Sequence, residues 1–440
     1  MKNHLKPLAI ILAISVVSCW RIAEVPAGGT EPAEFQLRVS APKADCVNVP
    51  VFAALELPER FARLPVEEIS VLLEEQGGAG VEVPGQIVSA EEGKTQLWWI
   101  LPTTKTGETS SWTAIMSHRG KASPEGFMWQ NKPGDHLDLL FDGRRVVSYM
   151  YAYDDSTPER LHDTNKPYHH VFDAQGENLL TNGPGGLYPH HRGIFIGWTK
   201  LESGGEALNF WGMTGGVQRH QKFLKEMAGP VLACSESQIS WDDTAGGSII
   251  IEQRKVTVFR QSSPTILLLD FHTRLEVVAG EVFLDGDPEH GGFQYRAHND
   301  VSTGSERAQK AAAASGEQVP QDVVESTETD RATYLFHNED IDPLEDEDLP
   351  WAAMAYGLNN RRYSVQHMNH PGNPQPTLYS AYRDYGRFGA FFKKKIGSGE
   401  SLALYYRILV VEGDMPARGD LAGNYSAFAD APEVEVVSSR

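Results

Sequence analysis

The chain has 440 residues, with 59 acidic against 39 basic side chains and a formal charge of −20. That balance repels nucleic-acid backbones and anionic membrane surfaces, so phosphate-backbone binding is excluded and neutral or cationic ligands fit the net charge better. The three cysteines show neither C-x-x-C spacing nor the density of a disulfide scaffold, which removes those classes.

Residues 1–18 read as an export signal: Lys2 and Lys6 precede an apolar run from Leu8 to Val17 that is too short to span a bilayer. Val16-Val17-Ser18-Cys19 resembles a lipobox, so Cys19 is the expected lipid anchor. The expected location is periplasmic or at the cell envelope, with membrane contact only through that lipid. A chain of this length exceeds the ~250–300 residues that one core usually supports, which predicts two domains. Phe35–Val39, Ile69–Leu73 and Gln96–Ile100 are short β-patterned runs, and they predict an immunoglobulin-like sandwich over residues 33–120. The polar, turn-rich segment Ser117–Pro133 then marks a boundary. Residues 125–436 predict a larger antiparallel sandwich, from runs such as Arg145–Tyr151, Ser248–Phe259 and Ser401–Val411. The clearest run is Leu269–Val277, where Leu269, Phe271, Thr273, Leu275 and Val277 alternate with Asp270, His272, Arg274 and Glu276. Residues 303–330 read as a flexible insertion, and the acidic run Glu339–Asp348 as a solvated loop. The fold class is therefore all-β. Whether Cys46 and Cys234 pair stays open.

Twelve of the fifteen histidines lie between His162 and His370, which points to the second unit as the seat of any chemistry. His169-His170 and His190-His191 are adjacent pairs. On a strand only one member of each can enter a common site, unless the backbone turns. His190 and His191 sit where a Gly-Pro-rich loop enters the strand Ile194–Trp198, a frequent address for site residues. Asn209-Phe210-Trp211-Gly212 offers a flat apolar platform beside an amide, a combination suited to sugars. Asp287 to His298 gathers Glu289, His290, Arg296 and two glycines at a strand mouth. His367 to Pro374 is an irregular proline-rich loop presenting His370, and Arg383 follows in RDYGRFG. Each group has an ordinary structural alternative: a histidine bonded beneath a loop, a core tryptophan, a structural ion pair. No H-E-x-x-H, G-x-S-x-G, P-loop or dinucleotide fingerprint occurs.

Taken together, PHHRGIFIGW, NFWG, HGGFQYR, HPGNP and RDYGRFG resemble the bacterial exported PmoA-like family, labelled "methane oxygenase PmoA", over roughly residues 126–412. The resemblance implies an N-terminal sandwich and a second domain similar to the galactose-mutarotase supersandwich, where histidines and a carboxylate act on a sugar ring. The family label itself would imply a His-ligated metal enzyme, although ligand spacing supports no metal site and no cofactor is identified. An acidic residue expected before the histidine pair is replaced here by Leu187-Tyr188.

The leading expectation is an exported carbohydrate-active protein doing His-based acid/base chemistry of epimerase, lyase or hydrolase type. His190, His191 and His290 are the expected acid/base groups. His170, Arg192, Asn209, Trp211, Arg296, His370 and Arg383 are the expected substrate-binding residues. The alternatives are a non-catalytic saccharide-binding lipoprotein and a metal enzyme. The expected partner is a saccharide or other small molecule.

Overall fold

A computed structural model describes residues 31–77, 80–90, 94–118, 126–303 and 330–439. The leader, Cys19 and the body of the 303–330 insertion lie outside the described residues. Nearly every long element is a strand, and every strand pairing is antiparallel. Among the described residues, no helix is long and apolar enough to cross a membrane.

The first sheet has seven strands, with Cys46–Leu55 at one edge and Val434–Ser439 at the other. Its first strand alternates strictly, whereas Cys46–Leu55 and Glu82–Ser89 carry runs of consecutive buried residues. In Ala33–Val39 the side chains of Ala33, Phe35, Leu37 and Val39 point inward, while Glu34 and Arg38 face solvent. They enclose an apolar core with Trp99 and Trp112 at its centre. The C-terminal strand Val434–Ser439 returns to pair with Ala33–Val39, so the two ends of the described chain share one sheet.

The second region is a sandwich of two eight-stranded sheets with a small four-stranded sheet beside them. One large sheet runs from Val217–Ala228 to Thr333–Phe336 and contains Thr265–Val277. In that strand Leu269, Phe271, Thr273, Leu275 and Val277 are buried, as their alternation predicts. The other large sheet, here the site sheet, places Ile194–Trp198, Gly291–Arg296 and Arg387–Phe391 side by side. Its inner face supplies Ile194, Ile196, Trp198, Phe293, Tyr295, Phe388 and Ala390 to the main core. Burying each such side chain contributes about 1.5–3 kcal/mol.

The outer face of these three strands is also buried, and its chemistry is different. The register sets Phe195 beside Gln294, Gln294 beside Gly389, and Arg296 beside Arg387. All six residues of Gly291–Arg296 are buried. A strand covered on both faces is normally apolar throughout. Here Gln294 and Arg296 interrupt that rule on the outer face, beneath the loops that carry the conspicuous sequence motifs.

Cys46 and Cys234 are buried free thiols in separate apolar clusters. Cys46 donates to the carbonyls of Ala44 and Gly423.

Candidate functional site

The histidine pair His169-His170 obeys the strand rule. His169 points inward and stacks on Tyr149 with ring centroids 4.8 Å apart. His170 points to the outer face, where Nδ1 meets Thr181 Oγ1 at 3.0 Å and Nε2 meets the Tyr168 hydroxyl at 3.3 Å. Burial holds its pKa down at about 4. It is fixed beneath the glycine loop and stands apart from the cavity formed by the second histidine pair.

The pair His190-His191 escapes the rule because its backbone turns. Tyr188 adopts φ 57°, a left-handed conformation uncommon outside glycine, and His191 N–H donates to Tyr188 O at 2.9 Å. Both rings therefore enter the same space, with centroids 4.2 Å apart. The turn is strapped from below by Arg192, which is wholly buried. Its guanidinium donates to Pro189 O at 3.0 Å, Asp163 O at 3.0 Å, Asn165 Oδ1 at 3.2 Å and His162 O. Arg192 is thus a positioning residue, and not the ligand-facing group that its place beside His191 suggests.

Trp211 closes the space from the adjoining loop. Gly197 makes this possible, since a Cβ there would lie 2.3 Å from Phe210 O where the backbone crosses the sheet. Asn209 Oδ1 accepts from Trp211 N–H at 3.0 Å and Gly212 N–H at 2.6 Å, so the amide shapes the turn that presents the indole. The indole lies 5.2 Å from the His191 ring, edge to face, and 5.0 Å from Phe195. Its Nε1 has no hydrogen-bond partner.

His290 stands at the mouth of Gly291–Arg296, with Nδ1 2.8 Å from Asp287 Oδ1. Glu289 beside it accepts from Arg383 Nη2 at 2.7 Å. Together these groups bound a cavity of about 250 Å³, walled by His190, His191, His290, Trp211, Asn209 and Arg383. Tyr188, Tyr385, Thr199 and Gly212 complete the wall. A second concavity of about 110 Å³, near Phe127, Arg145 and Glu412, contains no histidine. Chemistry therefore points to the larger one.

The electrostatics of this cavity run against the charge of the whole chain. Burial, followed by the Lys166, Arg192 and Arg387 charges, pushes His190 down to about 3. His191 is held well below the usual range by burial and then by Arg387, and neither ring nitrogen has a hydrogen-bond partner. Both imidazoles are consequently neutral at neutral pH, each with a lone pair that can accept a hydrogen bond. Lys166, buried, donates to Trp211 O at 2.9 Å, and its pKa falls well below normal through burial. Arg387 donates to Gln294 Oε1 at 3.0 Å and sits 5.2 Å from the Trp211 ring. Arg296 donates to Ala297 O at 2.9 Å and to Tyr385 O. Burial lowers its pKa to about 10.

Of the residues singled out in the sequence, six meet in one cavity: His190, His191, His290, Asn209, Trp211 and Arg383. Arg296 lies behind Tyr385, with its guanidinium 5.0 Å from that ring. His370 is elsewhere, packed 5.6 Å from Tyr405 and 5.4 Å from Phe428, so the HPGNP loop is no wall of this cavity. Lys166, Thr199 and Arg387 were not singled out. Arg387 had one sequence signal, since it follows a turn-forming glycine two residues after Tyr385 and opens a strand.

Asp287, Glu289 and His290 place ligand-type atoms within 4.8 Å of one another at the cavity lip. Those atoms already bond each other or Arg383.

Fold and site together define an antiparallel β-sandwich protein with a loop-covered, histidine- and arginine-lined cavity on the outer face of one sheet. The chain belongs to the family of unknown function DUF6807, whose model matches residues 136–425. That match includes every cavity residue named above and does not bear the PmoA-like label that the motifs resemble. No curated protein matches the chain. Among solved structures, the chain is similar to the uncharacterised protein lmo2446 from Listeria monocytogenes EGD-e, determined in complex with α- and β-D-glucose, magnesium and calcium. Identity is 11%, with a TM-score of 0.18; the match covers 85% of this chain and 30% of that one. The chain thus spans less than a third of the solved protein, and overlap this weak carries no argument about the ligand.

Proposed function

We propose that the cavity binds a saccharide and that His190, His191 and His290 move protons on it. The observation that supports this most is the meeting of two neutral imidazoles, His190 and His191, with the Trp211 indole in a cavity of about 250 Å³. An indole edge and flat aromatic walls suit the apolar face of a sugar ring. A neutral imidazole keeps an open lone pair for a proton, and a negative charge on the bound ligand would offset the cations that, after burial, hold its basicity down. A second imidazole on another wall can return the proton to a different face or atom. Epimerisation and elimination both need that pair of groups. Hydrolysis by two carboxylates is less well served, because Glu289 is tied to Arg383 and Asp287 to His290.

The test uses the full chain with a panel of mono- and disaccharides in D₂O, followed by proton NMR. The expected result is exchange of one ring C–H with solvent, slowed at least a hundredfold in His190→Gln and His191→Asn while the sugar still shifts the melting temperature. Binding without exchange for every sugar would remove catalysis and leave a saccharide-binding protein. Absence of any saccharide binding would overturn the proposal.

A further inference from the structure

We propose that the sugar held in this cavity carries a carboxylate, so that the ligand class is a uronic acid. The inference rests on the saccharide reading above and adds the sign of the ligand's charge. It begins with the register of the site sheet, where Arg296 and Arg387 stand directly opposite each other on adjacent antiparallel strands. Like charges in that position are destabilising even on an open surface. Here both guanidiniums are fully buried. Arg383, 4% exposed, forms a further backbone bridge to Arg387, and the charges of Arg383 and Arg387 act respectively on Arg387 and Arg296.

Among the described residues, only one of these three buried cations meets a carboxylate. Glu289 pairs with Arg383, and its side chain is 38% exposed. Arg296 and Arg387 pair with no carboxylate among the described residues, and their bonds go to neutral oxygens of Ala297, Tyr385 and Gln294. Nε and Nη2 of both Arg296 and Arg387 make no hydrogen bond, and the same is true of Nε and Nη1 of Arg383. Nε and Nη2 form the lateral edge of a guanidinium, the two parallel donors that meet both oxygens of a carboxylate. The Tyr385 hydroxyl stands beside Arg387 without a well-directed bond to that edge.

Buried, unpaired charge costs several kcal/mol per ion, and a fold retains it where a partner arrives from outside. Arg383 and His191 reach the cavity directly, whereas Arg387 lies just behind Trp211, and Arg296 behind Tyr385. An anion in the cavity would therefore meet Arg383 and experience the field of the other two. Net charge favours neutral or cationic ligands, but exposed carboxylates are screened by solvent and these guanidiniums are not. Local charge decides.

The experiment compares D-glucuronate and D-galacturonate with D-glucose and D-galactose on the full chain, by calorimetry at low and high salt, with acetate as control. The expected result is about ten- to hundredfold tighter binding of one uronate than of its neutral partner, the effect of a charge-assisted hydrogen bond to Arg383 reinforced by the two guanidiniums behind it. Arg387→Met, behind the cavity wall, should shrink that ratio toward one while neutral-sugar binding persists, and Arg383→Gln should lower uronate binding more than neutral-sugar binding. Arg387→Lys, which keeps the charge acting from behind Trp211, should retain most of the ratio. A neutral hexose binding as tightly as its uronate would overturn the inference and leave the saccharide reading standing. Acetate matching the uronates would also overturn it. If no sugar of either charge binds, both the inference and the reading beneath it fail.

Discussion

The large sandwich buries arginine in two ways. In one region Arg254, 2% exposed, is met by Glu252 through Nε to Oε1 at 2.7 Å and Nη2 to Oε2 at 3.1 Å. The same carboxylate also accepts from Trp241 Nε1 at 2.8 Å and Thr273 Oγ1 at 2.9 Å. Burial alone would lower the Arg254 pKa most, but the charge of Glu252, the neighbouring Tyr149 and the Glu252 hydrogen bonds together outweigh it and raise the value. In the other region, behind the cavity, burial outweighs every favourable neighbour and lowers the pKa of Arg296 and of Arg387. One fold can evidently supply a complete set of partners to a buried guanidinium, and on the site sheet it does not. A satisfied arginine holds a core together, while an unsatisfied one keeps donor atoms for which no described residue supplies an acceptor.

The comparison is broken most severely by removing the partner where it exists. Glu252→Gln leaves Arg254 charged and alone in the interior and is expected to lower stability by about 3–5 kcal/mol, measured by denaturant unfolding. Arg387→Met removes a charge that already lacks a carboxylate, so its expected change is under about 1 kcal/mol, or a small gain. Equal losses in the two variants would show that the cavity arginines are as well satisfied as Arg254, and the contrast would disappear.

Acid separates the regions next. His190 titrates at about 3 and His170 at about 4, both below the ordinary value of 6.5. A histidine with a lowered folded value takes its proton first in the unfolded chain, so its stabilising effect is complete above pH 6.5 and is lost as pH falls from there toward the folded value. At pH 5 each such group costs about 2 kcal/mol. For His190 part of the shift comes from Lys166, Arg192 and Arg387. A bound carboxylate offsets those charges, so a saturating uronate should flatten the fall in melting temperature between pH 6.5 and 5 more than glucose does. Identical slopes with and without the uronate would count against an anion in the cavity.

Sequence reading reached the fold because strand alternation is local: Leu269–Val277 shows its buried and exposed faces residue by residue. It reached much of the cavity because loop residues flanking strand ends in PHHRG, NFWG, HGG and RDYG are brought together by pairings between neighbouring strands. It did not reach the roles of the arginines. Arg192 sits next to His191 in the chain, yet its donors are consumed by carbonyls of the segment around Asp163, a contact made across the fold. The confrontation of Arg296 with Arg387 exists only in the register, which no single strand records. His370 looked equivalent to the cavity histidines by composition, but its loop belongs with Tyr405 and Phe428. Net charge says little about the cavity for the same reason: it sums over groups regardless of where burial places them.

The smallest expected effect gives the sharpest form of the comparison, because it would move a carboxylate into the unsatisfied region. Asn209 Oδ1 holds the turn under Trp211 through two backbone N–H donors. Asn209→Ala removes that acceptor and should cost about 1 kcal/mol in thermal or denaturant unfolding. Asn209→Asp retains the acceptor, so the turn and its stability should survive. It also adds to the cavity wall a charge comparable to the one Glu252 provides for Arg254. If the cavity lacks an anion, Asn209→Asp should weaken uronate binding several-fold while leaving neutral-sugar binding nearly unchanged. Should Asn209→Asp lose as much stability as Asn209→Ala, the amide nitrogen would be the group that holds the turn. An aspartate that weakened both sugars equally would mean that distortion of the Trp211 platform, and not charge, had been measured.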